Sequence, residues 1–291
     1  MNRIKVGIIG TGNIGTDLLY KIQKSDYLEC SVFAGHNKES KGIQNAKGLG
    51  VNTTYNSIDY FIENPDCCNI VFDATSADAH KMHAPILKKL QKFVLDLTPA
   101  RVGKMCCPVL NENDILDCDN VNLITCGGQA SVPIAYAIKR ADNSVKYIEV
   151  VASIASLSAG IGTRNNIDEF TQTTSDALRE FTGTMHTKAI IILNPALPPI
   201  TMTNTIYAII DNPNMDAIKN SVFEMEKNIQ KYVPGYKVIV GPVYESGRVT
   251  TIVQVVGAGD YLPKYAGNLD IITCAAVEIA ENYVKRKILN V

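Results

Sequence analysis

Two short stretches carry residue types and spacings that can do chemistry, and the first centres on Cys126. An apolar run over residues 121–124 leads to Thr125 and Cys126, and then Gly127, Gly128, Gln129 and Ala130 open a helical pattern. A strand that stops at a cysteine and turns into a helix puts the sulfur beside a helix amino terminus. The positive end of the helix and its unpaired N–H groups favour a thiolate there. Gly127 and Gly128 let the backbone approach a bound group, so their N–H groups can hold an oxyanion formed by attack on a carbonyl. The same stretch also fits a small apolar side chain packed at a strand end, which is what most single cysteines are. The second stretch is Gly10-Thr11-Gly12-Asn13-Ile14-Gly15, set between an apolar run over 4–9 and a helical pattern through Leu18, Leu19 and Ile22. In that context Gly10 permits a tight turn, Gly12 admits a pyrophosphate and Gly15 lets helix and strand pack closely. The helix amino terminus then receives the phosphates of a dinucleotide.

Positioning these groups requires a parallel sheet. Runs at 4–9, 28–34, 69–72, 93–95 and 121–125 read as strands, with helical patterns from 41, over 57–62 and over 77–90 between them. An acid usually closes the second strand to hold the adenosine ribose, whereas this chain reads Gly35-His36-Asn37-Lys38-Glu39-Ser40. Asn37 can hydrogen-bond a ribose, and His36 and Lys38 can tolerate a 2′-phosphate, so the choice between NAD and NADP stays open; a solvated turn accounts equally well for the Lys and Glu. Asp73-Ala74-Thr75-Ser76 and Asp96-Leu97-Thr98-Pro99-Ala100 close strands at the edge where such sheets collect ligands. His80 and His83 lie three apart with no Cys or carboxylate at ligand spacing, and are read as solvated or capping.

After the Cys126 helix the pattern changes to longer β-rich runs at 145–154, 189–193, 203–210, 237–240 and 248–256, with helices over 167–181 and 214–232. The chain is therefore α/β. It has a Rossmann-type doubly wound parallel sheet over residues 1–130 and a second α+β domain over 131–268 with a largely antiparallel or mixed sheet. A helix from 269 to the end at 291 is expected to pack back on the first domain. One face of the second sheet needs covering, and a second subunit can do it. The loop Ser156-Leu157-Ser158-Ala159-Gly160-Ile161-Gly162-Thr163-Arg164-Asn165-Asn166 is small, glycine-rich and polar. It suits either a wrap around a cofactor or substrate, or a flexible connection to the next helix. Residues 194–199 read as a rigid, architectural turn.

With 291 residues, 46% hydrophobic content and a formal charge of −1, the chain gives no sign of nucleic-acid binding or of a disordered tail. Its start runs directly into a strand and no apolar run is long enough to cross a bilayer, so a cytoplasmic location is the default expectation. Eight cysteines include the adjacent pairs Cys67-Cys68 and Cys106-Cys107, whose spacing argues against a metal site.

Together these motifs resemble the acylating acetaldehyde dehydrogenases of aromatic hydrocarbon catabolism, which act beside 4-hydroxy-2-oxovalerate aldolase. The resemblance runs nearly end to end, through the 10–18 and 125–130 stretches, Ser158-Ala159-Gly160-x-Gly162-Thr163-Arg164, residues 166–171 and Ala266-Gly267-Asn268-Leu269-Asp270. It implies that Cys126 carries an acyl thioester and that Asn166 lies near the reacting carbon. The cofactor contacts it implies fall on Thr11 to Ile14, on Leu157 to Asn165 and on Asn268. It further implies NAD and coenzyme A as cofactor and co-substrate, a short aldehyde as substrate, and a homodimer within a complex with the aldolase. Two positions depart from the family. Asn37 stands where an acid is common, and Thr203-Asn204-Thr205 stands where many members read Arg-Asp-Thr, whose aspartate is a candidate base. An amide cannot take a proton, so Asn204 can at most position the thiol or a water. Two other readings remain: a dinucleotide-sensing Rossmann protein without catalysis, and a phosphorylating semialdehyde dehydrogenase.

Overall fold

The computed structural model describes residues 3–288, apart from the side chains of Ile161, Gly162 and Ile288. The last three residues of the helix expected over 269–291 lie outside that range. The chain divides into two compact units, Met1–Leu123 with Ile272–Val291, and Ile124–Ile271.

In the first unit the strands are β1 (Ile4–Ile9), β2 (Leu28–Ala34), β3 (Thr53–Thr54), β4 (Ile70–Asp73), β5 (Phe93–Asp96), β6 (Lys104–Met105) and β7 (Asn120–Asn122). Helices α1 (Asn13–Gln23), α2 (Lys41–Gly48), α3 (Ser57–Glu63), α4 (Ala77–Lys89) and α5 (Pro108–Asn111) connect them. The sheet order is β3-β2-β1-β4-β5-β7-β6 and every pairing is parallel. The order reverses at β1, between β2 and β4, which is where doubly wound sheets bind ligands. The strands are buried on both faces and so read as near-continuous apolar runs. Ile9, Val32, Ala34, Phe61, Cys68, Val71, Leu87 and Val94 form one core cluster.

The second unit begins with α6 (Cys126–Ala141), followed by β8 (Tyr147–Ala155), α7 (Ile161–Asn165), α8 (Ile167–Thr182), β9 (His186–Asn194), β10 (Met202–Ile209), α9 (Met215–Ile229), β11 (Tyr236–Glu245) and β12 (Arg248–Val255). Its sheet runs β11-β12-β10-β8-β9 and is mixed: β8 and β9 are parallel and the other pairs antiparallel. Burial alternates strictly along β10 and β12, so one face is covered and the other is half-exposed. Helices α6, α8 and α9 pack together on the covered side, α6 against β10, α8 against β9 and α9 against β11.

Helix α10 (Gly267–Tyr283) ends in a π-helical turn, Val284–Ile288. From Ile272 onward it belongs to the first unit. There Thr273 donates to Asp17 at 2.6 Å, Ser25 donates to Glu281 at 2.6 Å, and Tyr283 stacks on Phe93 with ring centroids 3.8 Å apart. Among the described residues no helix is long and apolar enough to cross a membrane.

Phe61 is fully buried, and its ring fills the space that Gly7 of β1 leaves open, where a Cβ would lie 2.5 Å from it. Phe61→Ala should lower stability by about 3–5 kcal/mol, read as a shift of the first unit's urea transition; a loss below about 1 kcal/mol would contradict this packing.

Candidate active site

The glycine turn of the first unit is built by close approach. Gly10 has φ +109°, and a Cβ there would sit 2.4 Å from the Ala74 carbonyl oxygen, so the turn rests directly on the chain leaving β4. A Cβ on Gly15 would sit 1.8 Å from the Gly10 oxygen, so only glycine lets α1 start this close to β1. Gly12 caps α1 without a side-chain bond, is exposed, and has no neighbour within 4 Å of where a Cβ would be. The N–H groups at the start of α1, from Asn13, Ile14 and Gly15, have no carbonyl four residues back within the helix, the arrangement that receives phosphates. Thr11 is fixed by its carbonyl, which accepts from Ser40 Oγ at 2.9 Å. Asn37 is exposed, and its Oδ1 accepts the Glu39 N–H at 2.9 Å, so its side chain also closes the turn after β2.

The reading of His80 and His83 as solvated or capping is overturned. Both rings are buried, and both Nδ1 atoms lie on Asp73 Oδ2, at 2.9 and 2.8 Å. The carboxylate partner sits seven and ten residues back, at the end of β4, a spacing that no ligand pattern along one helix shows. Asp96, at the end of β5, completes this buried set; burial pushes its carboxyl up to about 6 against the opposing pull of His80, Thr98 and Asn122.

The strand expected over 121–125 stops at Asn122, and Ile124 then takes a left-handed φ of +62° while fully buried. That backbone is rare for a β-branched residue and turns the chain sharply into α6. Thr125 caps the helix: its Oγ1 accepts the Gly128 N–H at 2.8 Å and is 2.7 Å from Thr174 Oγ1. Packing also requires the two glycines. A Cβ on Gly127 would lie 2.7 Å from the Phe170 ring, and one on Gly128 would lie 2.5 Å from Ile124 Cγ2. With the Gly128 N–H taken by Thr125, the donors left for the sulfur are the N–H groups of Gly127 and of Cys126 itself.

Burial opposes the expected tilt towards a thiolate in the free protein. Cys126 is half-buried. Burial pushes the thiol up to about 12 against the opposing pull of those two N–H groups. Asn204 is buried beside the same helix turn; its Nδ2 donates to Ser131 Oγ at 2.7 Å and to the Gly127 oxygen at 3.3 Å, and its Oδ1 has no partner among the described residues.

The loop after β8 takes helical turns. Residues 156–158 form a 3₁₀ turn, Ser158 Oγ donates to the Ala155 oxygen at 2.9 Å, and Ala159 is buried. Arg164 folds back on its own loop, donating to the Ala159 oxygen and to Ser156, so its guanidinium ties the loop together. Leu157, Gly160 and Asn165 are exposed and Thr163 is half-buried; Ile161 and Gly162 lie in α7, with side chains outside the described set. Asn166 begins α8, whose Phe170 packs on Gly127, so the first turns of α6 and α8 abut. Asn268, in the first turn of α10, is buried with its Oδ1 unpartnered among the described residues. Such an orphaned oxygen calls for a donor.

Residues 5–118 match a family model described as the NAD binding domain of semialdehyde dehydrogenase, and residues 126–263 match one described as the dimerisation domain of prokaryotic acetaldehyde dehydrogenase. Acetaldehyde dehydrogenase from Pectobacterium atrosepticum is 52% identical, over 96% of this chain and 95% of its own length. The chain belongs to the acetaldehyde dehydrogenase family. The family's protein from Geobacillus stearothermophilus is 51% identical, over 99% of this chain and 98% of its own. Membership makes the chain an oxidoreductase with NAD as cofactor, and favours neither a silent dinucleotide sensor nor a phosphorylating enzyme. The two-unit fold itself recurs in aspartate semialdehyde dehydrogenases. One solved with NADP, from Candida albicans, superposes with a TM-score of 0.69 at 13% identity over 98% of this chain and 99% of its own. Another, from Vibrio cholerae, gives 0.65 at 12% over 99% and 100%.

Because the Cys126 thiol is held near 12, its alkylation by iodoacetamide in the free protein should rise about tenfold per pH unit through the neutral range. Mass spectrometry of the Cys126 peptide follows this, and a rate that levels off near neutral pH would contradict the burial effect.

Proposed function

We propose that the protein converts acetaldehyde, NAD and coenzyme A to acetyl-CoA and NADH through a thioester on Cys126. The observation that carries this reading is the sulfur at the first residue of α6, facing the N–H groups of Cys126 and Gly127. The sulfur loses its proton to solvent as it adds to the aldehyde carbon, and those N–H groups stabilise the negative charge that then develops on the oxygen. Asn166 supplies a further amide to that oxygen, a role supported by the abutting first turns of α6 and α8. The glycine turn would hold NAD, which when bound would supply the hydride acceptor that turns the adduct on Cys126 into an acetyl thioester. The coenzyme A sulfur then displaces Cys126, exchanging one thioester for another.

The residues present suit NAD. Thr11, Gly12, Asn13, Ile14 and Gly15 would hold the pyrophosphate, Gly12 leaving room for it, and the orphaned oxygen of Asn268 would offer NAD an acceptor. The exposed loop over 157–165 supplies further contacts in this reading, with Arg164 serving to hold the loop's shape. Asn204 stays hydrogen-bonded to Ser131 and fixes the turn that bears Cys126 without taking its proton.

The match to a dimerisation domain supports a homodimer formed through the second unit, with the half-exposed face of its sheet and the exposed Ile192, Val243 and Tyr244 as surface to bury. A complex with 4-hydroxy-2-oxovalerate aldolase in the cytoplasm completes the reading, the aldolase handing over its aldehyde shielded from water.

NADH formation from acetaldehyde should require coenzyme A for multiple turnovers and should prefer NAD to NADP. Cys126→Ala should lower kcat/KM by at least about 10³-fold while NADH affinity stays within about twofold. Near-normal turnover in that variant would remove Cys126 from the chemistry.

A further inference from the structure

Behind the glycine turn lies a buried set of ionisable groups that the chemistry at Cys126 does not use. Asp73 and Asp96 end adjacent strands, are register partners, and are both fully buried. Each carboxylate uses one oxygen to fold the loop that follows its strand. Asp73 Oδ1 accepts from the N–H and hydroxyl of Thr75, and Asp96 Oδ1 accepts the Thr98 N–H at 2.8 Å. The first of these loops presents the Ala74 carbonyl to Gly10 at a distance that excludes a Cβ, so loop and dinucleotide turn are in rigid contact.

The remaining oxygens converge on one ring. His80 Nδ1 is 2.9 Å from Asp73 Oδ2, and His80 Nε2 is 3.5 Å from Asp96 Oδ2. His83, on the same helix, adds its Nδ1 to Asp73, while β7 contributes only amides: Asn122 Nδ2 donates to Asp96 at 2.8 Å and the Asn120 amide lies 2.9 Å from His80 Nε2. The Asn120 oxygen is buried without a partner among the described residues. Turning that amide over gives the oxygen a donor, provided that His80 carries a proton on Nε2 as well as on Nδ1. A doubly protonated ring also places a positive charge between two buried negative ones, which otherwise face each other uncompensated.

We propose that His80 is a positioning residue for the cofactor: as an imidazolium bridging Asp73 and Asp96 it holds the loops after β4 and β5 against the dinucleotide turn, and loss of its proton weakens NAD binding. The electrostatics agree. Burial alone would drive the ring neutral, but the hydrogen bond to Asp73 and the charges of Asp96 and Asp73 outweigh it and raise His80 above its usual value. Burial likewise pushes Asp73 up, and the bonds from His80 and His83 reverse this and hold it well below the carboxylate range. Because His80 is raised, the charged bridge is complete at neutral pH and is lost as pH rises through the raised value. The inference rests on the first unit being the NAD-binding half.

The test is NADH affinity of the whole protein by fluorescence titration from about pH 6 to about pH 9. Wild type should lose affinity by about tenfold on the alkaline side. His80→Asn and His80→Gln should bind weakly with a flat profile, and His83→Asn should keep the wild-type slope. If wild type binds NADH and the His80 variants follow the same profile, the inference falls. If wild type binds no NADH at any pH, the NAD-binding reading falls first and takes this inference with it. Should the His80 variants fail to fold, imidazole NMR of wild-type protein decides: NADH should raise the His80 titration midpoint, as reciprocity requires, and an unchanged midpoint overturns the proposal.

Discussion

The candidate active site depends on how the chain is forced to turn at Ile124. A β-branched residue with positive φ costs about 1–3 kcal/mol and persists only where its surroundings leave no alternative. Here Ile124 is fully buried, Gly128 has no Cβ to collide with it, and Thr125 locks the next turn through the Gly128 N–H. The consequence is that α6 begins at Cys126 and not a residue later, with the sulfur beside the N–H groups of Cys126 and Gly127. Gly127 serves the same geometry by letting Phe170 of α8 press against the turn. Burial then keeps the thiol neutral in the free protein, so its proton must leave as the sulfur adds to the aldehyde, and the two N–H groups stabilise the charge that the aldehyde oxygen gains.

In the first unit the corresponding constraint is polar. A parallel sheet buried on both faces brings the carboxyl ends of its strands together, and β4 and β5 both end in aspartate. From α4, His80 and His83 hydrogen-bond to Asp73 and His80 also faces Asp96, while the other carboxylate oxygens shape the loops that follow the strands. The open space over Gly12 is therefore framed by a turn that rests on one of those loops, and a substitution in α4 reaches the cofactor through Asp73 and Ala74.

The strand-helix rhythm, the glycine turn and the change to longer β runs are legible in the sequence because burial on both faces and period-two alternation leave direct traces in residue type. The role of Gly127 and Gly128 is not, since the neighbours that exclude a Cβ, Phe170 and Ile124, are set by packing and by an unusual backbone angle. The early end of β7 is hidden for the same reason: Leu123 and Ile124 are as apolar as a strand but are buried in a turn. The histidine cluster escapes a reading along one helix because its acids sit on two strands. The helix-terminus argument for Cys126 finds the Gly127 donor but not that Thr125 takes the Gly128 N–H, and it leaves out burial, which depends on the folded surroundings.

The central claim is that Cys126 carries the acyl group. Incubating the protein with acetaldehyde and NAD, without coenzyme A, quenching in acid and mapping the peptides by mass spectrometry tests it most directly. An acetyl group on Cys126, formed in step with a single equivalent of NADH and removed by added coenzyme A, is the result the account predicts. NADH formed in the same amount with Cys126 unmodified, or with the acetyl group on another cysteine, would contradict it.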